Sequence, residues 1–208
     1  MKLRVISFYT NGLYERLSQC LVRSCATFGL DVVVQHRADM GSWARNSGQK
    51  PKFILEMLES HKCDLLWVDA DAEFVSCPGS LDHLDCDFGA HRTLRRYIGG
   101  TLLVRNRKAT KVMLMEWIAE HERRLEVPCD KVMQVALEKC SLEIGQLDPE
   151  YVYVFDVWKI RYPDCKPVIL HKQASRIRGA LLRSFKPDRR SKTAVHPEVR
   201  RFDRELRG

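Results

Sequence analysis

The sequence lacks the apolar segments that would place the chain across a membrane. No apolar run approaches the ~20 residues that a transmembrane helix needs. The first residues, MKLRVISFYTNG, also lack the apolar stretch and the small-residue cleavage site of a signal peptide. We therefore expect a cytoplasmic protein.

The sequence also lacks the cysteine patterns of metal-bound and disulfide-bonded modules. Its eight cysteines include no C-x-x-C pair and no Cys/His cluster at zinc spacing. We expect the cysteines to be free, mostly buried thiols. The sequence also contains no internal repeat. The cysteine spacing argues against a zinc module, and a disulfide framework is the minor alternative to free thiols.

Positive and negative residues balance over residues 1–171, and the excess positive charge lies in the remaining residues. Residues 172–208 carry twelve Lys and Arg against four Asp and Glu, so their excess equals the net charge of +8 of all 208 residues. The length suits one domain with a full core. We predict a catalytic domain over 1–178 and a basic tail over 179–208.

The hydrophobic pattern alternates between strands and helices. Apolar runs at 3–9 and 31–36 flank a helical pattern at 13–28, which predicts a strand-helix-strand unit with parallel strands. A polar loop follows at 37–49. Further helices are predicted at 51–62, 109–125 and 128–140, and further strands at 64–68, 100–105, 142–147, 151–156 and 167–171. The segment before residue 100 is expected to be a basic loop. The pattern predicts an α/β fold with a mostly parallel central sheet flanked by helices.

Two aspartates follow the buried strand at 64–68 directly. In an extended backbone, Asp69 and Asp71 would project to the same side and repel each other. Mg²⁺ or Mn²⁺ would offset that repulsion and bridge the oxygens of a diphosphate. The alternative is a solvated acidic turn. Ligands of parallel sheets bind at the carboxyl ends of strands, where Tyr9, Thr10 and His171 also fall.

The segment DLLWVDADAEFV resembles the aspartate motif of GT-A glycosyltransferases, which have the nucleotide-diphospho-sugar transferase fold. The resemblance implies that Asp69, with Ala70, contacts the donor ribose or metal-bound water. It implies that Asp71 ligates the metal, and it makes both aspartates metal-site residues.

Two upstream segments are similar to donor-binding parts of the same family. W-x-R-N-x-x-x-K-P implies donor contacts from Asn46 or Lys50, although an exposed lysine at a helix start is the alternative for Lys50. Tyr9 and Thr10, at the end of the first strand, correspond to residues that hold the nucleotide base.

Three downstream segments extend the resemblance, which covers about residues 1–178. Y-I-G-G-T-L-L-V-R implies that Gly100 and Thr101 lie near the transferred sugar, or else form a turn into a strand. V-P-C-D-K implies a base or acceptor-positioning role for Asp130, whose alternative is stabilisation of a helix N-terminus. P-V-I-L-H-K-Q-A-S-R implies that His171 is the third metal ligand rather than a structural histidine. The residues implied near the donor phosphates are Lys172, Ser175 and Arg176.

The resemblance implies a metal-dependent hexosyltransferase that uses a nucleotide-sugar, most simply a UDP-sugar. Small phage enzymes of this kind glycosylate hydroxymethylated pyrimidines in DNA, which favours a 5-hydroxymethylpyrimidine acceptor and, for a phage protein, the host cytoplasm. The residues predicted to bind DNA are Arg92, Arg95, Arg96, Arg183, Arg189 and Arg190. Open alternatives for the function are an acceptor on protein, lipid or saccharide, a nucleotidyltransferase or phosphohydrolase, and a non-catalytic DNA-binding module. For the tail they are a solvated or disordered segment, or a contact with anionic lipid headgroups.

Overall fold

The computed structural model describes residues 3–154 and 158–174 of the chain. The chain divides into two units, Met1–Lys172 and Gln173–Gly208. The fold below is that of the first unit. The predicted boundary between residues 178 and 179 lies outside the described residues and stays a prediction.

Nine short strands and six helices make up the described part of the fold. The strands are β1 (Arg4–Tyr9), β2 (Asp31–His36), β3 (Leu65–Val68), β4 (Ala72–Phe74), β5 (Phe88–Arg92), β6 (Tyr97–Val104), β7 (Ile144–Gln146), β8 (Tyr153–Val154) and β9 (Ile169–His171). The helices are α1 (Gly12–Thr27), α2 (Trp43–Gly48), α3 (Lys50–His61), α4 (Lys108–Arg123), α5 (Cys129–Lys139) and α6 (Trp158–Arg161), with a 3₁₀ helix at Pro149–Val152.

Six strands form the central sheet in the order β2-β1-β3-β6-β5-β7. The pairings β1–β2, β1–β3 and β5–β7 are parallel, whereas β6 is antiparallel to both of its neighbours. Residues that alternate along a strand pack on opposite faces: Leu65 and Trp67 belong to the larger apolar core, and Leu66 and Val68 to the second one. The predicted α/β fold with a mixed, mostly parallel sheet is confirmed.

The unit β1-α1-β2 shows how local sequence sets these elements. Asn11 caps α1 because its side chain accepts a hydrogen bond from the Tyr14 backbone N–H. The chain leaves α1 through Gly29, whose φ of +66° belongs to the left-handed region that glycine adopts at low cost. The two strands then pair in parallel from Arg4 beside Asp31 to Tyr9 beside His36.

A second, three-stranded sheet has the order β4-β9-β8. Strand β9 is antiparallel to β4, with His171 opposite Ala72, and parallel to β8. This pairing joins the end of the described chain to the segment that directly follows the aspartates.

Several sequence predictions of secondary structure are wrong. The polar loop at 37–49 contains α2, which begins after the capping residue Ser42. The basic segment before residue 100 includes β5 and the start of β6, which form a hairpin. FGAHR has no β-branched residue, so pairing with β6 and β7, rather than propensity, makes it a strand.

The region around the predicted strand 151–156 also differs from expectation. Its first residues, Tyr151 and Val152, belong to the 3₁₀ helix and only Tyr153 and Val154 form a strand, while the rest of the range is outside the described residues. Strand β4 and helix α6 were not predicted at all, since both are too short to show a period. None of the described helices combines the length and apolarity needed to span a bilayer.

The cysteines give a first prediction. All eight are free thiols, with Cys25, Cys86 and Cys129 buried and Cys77 exposed. Burial raises the pKa of Cys25 to about 12, so its reactive thiolate is scarce. In native protein treated with iodoacetamide, we expect mass spectrometry to find Cys77 labelled first and the three buried thiols labelled only after unfolding. Equal labelling of Cys25 and Cys77 would contradict the packing around α1.

Candidate metal and donor site

The site begins where β3 ends. A turn over Asp69–Ala72, closed by the Ala72 N–H on the Asp69 carbonyl at 3.0 Å, leads the chain from β3 into β4. The Lys172 N–H donates to the Asp71 carbonyl at 3.0 Å and extends the β4–β9 pairing. His171 is brought beside the aspartates in this way, although it lies far along the chain.

Asp69, Asp71 and His171 form a group that can hold a metal ion. One ligand atom from each residue lies within 4.8 Å of the other two, and Asp71 and His171 are buried. Two carboxylates and an imidazole are suitable ligands for Mn²⁺ and Mg²⁺, the predicted cofactors. The extended backbone predicted for the aspartates is wrong, because the turn rather than a pleat brings their side chains together.

The imidazole of His171 has the chemistry of a metal ligand. The residue is 1% exposed, and its Nε2 lies 2.9 Å from the Thr101 hydroxyl oxygen. Its Nδ1 is buried and makes no hydrogen bond of normal geometry with the described residues. We assign the ring proton to Nε2, which leaves the Nδ1 lone pair available.

The charge state of His171 agrees with that assignment. Burial lowers the pKa of the imidazole, and the nearby Asp69 carboxylate and the Tyr151 backbone oppose this shift without cancelling it. The ring is therefore neutral at neutral pH, the form in which histidine binds metals. A buried ring nitrogen beside two carboxylates fits a divalent cation.

Asp69 is oriented by two donors on the same oxygen. Its Oδ1 accepts from the Lys50 Nζ at 3.0 Å and from the Trp67 indole N–H at 2.9 Å. Its Oδ2 faces the histidine: a Cβ at Gly100 would lie 3.6 Å from Asp69 Oδ2 and 3.1 Å from His171 Nδ1. One oxygen is thus fixed by the protein, and the other lies on the side of Gly100 that His171 also borders.

Lys50 is a buried cation between two carboxylates. It is 5% exposed, donates to the Gly99 carbonyl at 2.9 Å and lies 4.0 Å from Asp130 Oδ1. Burial alone would lower the pKa of Lys50, but Asp69 and Asp130 outweigh that effect and the pKa is raised. The exposed helix-start lysine considered from the sequence is wrong, because pairing with the carboxylates keeps this side chain inside.

Asp130 borders the same site from the first turn of α5. Its Oδ2 accepts from the Gly99 N–H at 3.4 Å, and about a third of its side chain is exposed. A Cβ on Gly99 would lie 2.3 Å from Asp130 Oδ1. The two adjacent glycines of β6 therefore approach Asp130 at one residue and His171 at the next.

Sequence reasoning missed two contributors, Trp67 and Gly99. Trp67 could have been found, because a residue two positions before Asp69 in a strand projects toward the same face. Gly99 lies beside the glycine that was selected, but only the fold shows that Asp130 packs against it.

A substitution at Gly99 tests this close approach. Gly99→Ala must displace the Asp130 carboxylate, and we expect the free energy of unfolding to fall by about 1–3 kcal/mol because the added Cβ overpacks this contact. Denaturant unfolding would measure the loss. Gly12→Ala is the matched control, since a Cβ there meets nothing within 4 Å. Equal stability of the two variants would contradict the close approach.

Tyr9, Thr10 and Ala70 lie at strand ends on the predicted donor side. Tyr9 ends β1, and its ring centroid is 5.4 Å from that of His36 at the end of β2. Thr10 and Ala70 are buried. An aromatic pair at the carboxyl edge of parallel strands can stack on a planar ligand.

Asn46 and Lys172 make contacts that differ from the predicted ones. The Asn46 side chain donates to Asp39 Oδ1 at 2.9 Å and accepts from the Met40 N–H at 2.6 Å, so it stabilises its own loop. The Lys172 ammonium lies 3.0 Å from the Glu73 carboxylate. Their donor contacts stay predictions.

The structure describes three of the six arginines predicted to bind DNA. Arg92, Arg95 and Arg96 are exposed in the β5–β6 hairpin. The predicted site residues that lie outside the described residues are Ser175, Arg176, Arg183, Arg189 and Arg190.

No family model and no curated protein matches the chain. Among solved structures, one match is a glycosyltransferase involved in the glycosylation of the major capsid of PBCV-1, with a TM-score of 0.67 and 11% identity. The match covers 88% of this chain and 100% of that one. At that identity the likeness shows the fold alone, and the fold of this chain is that of the GT-A glycosyltransferases.

Proposed function

We propose that this chain is a metal-dependent glycosyltransferase that moves a sugar from a nucleoside-diphosphate sugar to a hydroxyl group. The observation that carries the proposal is the meeting of Asp69, Asp71 and His171 at the end of β3. In open α/β sheets this edge is where ligands bind. The GT-A fold supports the same reading independently of the side chains.

In the proposed reaction, the acceptor oxygen forms a bond to the anomeric carbon and the bond from that carbon to the donor phosphate oxygen breaks. The nucleoside diphosphate leaves with the electron pair. A divalent cation, when bound, neutralises the diphosphate charge. Asp71 and His171 would hold that cation, and Thr101 fixes the ring of His171.

Asp69, Lys50 and Asp130 carry the remaining roles. Lys50 and Trp67 hold one oxygen of Asp69, which leaves the other oxygen free of these two contacts and able to serve a bound cation. Asp130 keeps part of its carboxylate in solvent, where it can accept the proton of the attacking hydroxyl. Preorganised charges of this kind are the main source of catalysis in such transfers.

For the acceptor, a hydroxyl on a protein, lipid or saccharide is favoured over a DNA base. The PBCV-1 enzyme of the same fold is involved in glycosylation of a capsid. The DNA reading rests on arginines, of which only those of the β5–β6 hairpin are among the described residues. DNA stays the second candidate and predicts binding that weakens steeply with salt.

The test is incubation of the full chain and Mn²⁺ with a panel of nucleotide-sugars, beginning with UDP-sugars. Acceptor pools would contain saccharides, lipids, a denatured protein mixture and hydroxymethylated DNA. We expect release of nucleoside diphosphate and a hexose-sized mass gain on one acceptor. Release of pyrophosphate would assign a nucleotidyltransferase instead, and absence of turnover with every donor would count against the enzyme proposal.

A further inference from the structure

The hairpin between β5 and β6 presents an apolar tip among arginines. Its turn is closed by the Thr93 N–H on the Arg96 carbonyl at 2.9 Å. Leu94, at the tip, is 95% exposed. Its neighbours Arg92, Arg95 and Arg96 are exposed, and none forms an ion pair within residues 3–154 and 158–174.

A second aliphatic and cationic pair lies against the base of this hairpin. Helix α6 packs there through Trp158, whose ring centroid is 4.8 Å from that of His91 on β5. On the same short helix, Ile160 is 85% exposed and Arg161 is exposed. We call Arg92, Leu94, Arg95, Arg96, Ile160 and Arg161 together the hairpin surface.

We propose that the hairpin surface docks this protein on an anionic lipid membrane. Almost fully exposed leucine and isoleucine side chains gain by entering the acyl boundary of a bilayer, and arginines beside them attract anionic headgroups. The combination of protruding aliphatic residues and arginines that form no ion pair with the described residues is the chemistry that peripheral membrane contacts need.

A nucleic acid fits the same surface less well. Leu94 and Ile160 offer nothing to a phosphate backbone, and single-stranded binding requires free aromatic faces for the bases. The nearby tyrosines are covered: the Arg92 guanidinium lies 5.6 Å from the Tyr97 ring centroid, and that of Arg161 lies 5.6 Å from Tyr162.

The location of the hairpin is compatible with a working enzyme at a membrane. Strand β6 runs from the hairpin to Gly99 and Gly100, so about 10 Å of strand separates Arg96 from the glycine that contacts Asp130. The docking itself does not depend on the proposed function, and it can be measured without turnover.

The experiment is co-sedimentation of the full chain with vesicles of phosphatidylcholine alone or mixed with phosphatidylglycerol. Three variants are compared with the unaltered protein: Leu94→Ser with Ile160→Ser, the triple change of Arg92, Arg95 and Arg96 to Gln, and the control Met115→Ser. Met115 is an exposed apolar residue of α4, which is a different element from the hairpin and α6. Residues beyond Ala174 are identical in all variants, so their charge does not affect the comparison.

We expect binding to the mixed vesicles only. The aliphatic double variant should bind about tenfold more weakly, and each lost arginine should weaken binding roughly fivefold, whereas Met115→Ser should bind normally. The proposal is overturned if the aliphatic variant binds as well as the unaltered protein, even when the arginine variant does not. It is equally overturned if duplex DNA displaces the protein from the vesicles and the protein binds that DNA equally well with and without the Leu94→Ser change.

Discussion

Asp71→Ala is expected to lower metal-dependent turnover of the nucleotide-sugar about 10³-fold. Asp71 is buried in the metal group, and its carboxylate would neutralise the cation that binds the diphosphate. Loss of one of two adjacent carboxylates relieves their repulsion and so offsets in part the contacts that Asp71 loses, and the unfolding temperature should stay within a few degrees. Donor hydrolysis and transfer would be measured at saturating Mn²⁺.

Two controls test whether the loss of turnover comes from the metal group and not from the removal of any carboxylate. Glu122→Ala removes an exposed carboxylate of α4 and should leave turnover unchanged. EDTA should inactivate the unaltered enzyme, and Mn²⁺ should restore it. Undiminished turnover by Asp71→Ala, or by the EDTA-treated protein, would mean that the three ligands do not serve catalysis.

Lys50→Met should be the most destabilising single change at the site. The substitution removes a buried cation that touches Asp69 and Gly99 and lies near Asp130. Breaking a buried pair costs several kcal/mol, and because both carboxylates keep about a third of their surface in water we expect about 2–3 kcal/mol. Denaturant unfolding would measure this loss, and kcat should fall about 10²-fold because Asp69 loses its orientation.

A double-mutant cycle with Asp130→Asn tests whether Lys50 acts through these carboxylates. If it does, the neutral amide should remove part of the repulsion left by Lys50→Met, so the two unfolding losses should be non-additive by about 1 kcal/mol. Lys50→Arg keeps the charge and should recover most of the stability. Strictly additive losses in the free energy of unfolding would show that Lys50 does not act through the Asp130 carboxylate.

The position of the aspartates was predictable because a fully buried strand must end at a sheet edge. LLWV, with all four residues buried, is followed at once by Asp69, and the fold places that edge as expected. His171 could be selected for the same reason, since it ends the apolar run of β9. Strand ends are visible in sequence because hydrophobicity stops there.

What sequence could not supply is how those ends meet. The β4–β9 pairing that sets His171 beside Asp71 involves two strands of three residues each, too short to show a period. The burial of Lys50 depends on carboxylates from two other elements, and a lysine that follows a polar loop normally predicts exposure. Long-range pairing, rather than local propensity, decides both features.

The most direct measurement is an anomalous difference map from crystals of the full chain soaked with Mn²⁺ and a nucleoside diphosphate. We predict one strong Mn²⁺ peak bonded to Asp71 and His171, adjacent to Asp69 and to the diphosphate oxygens. A diphosphate bound elsewhere, or Mn²⁺ absent from these three side chains at saturating concentration, would contradict it.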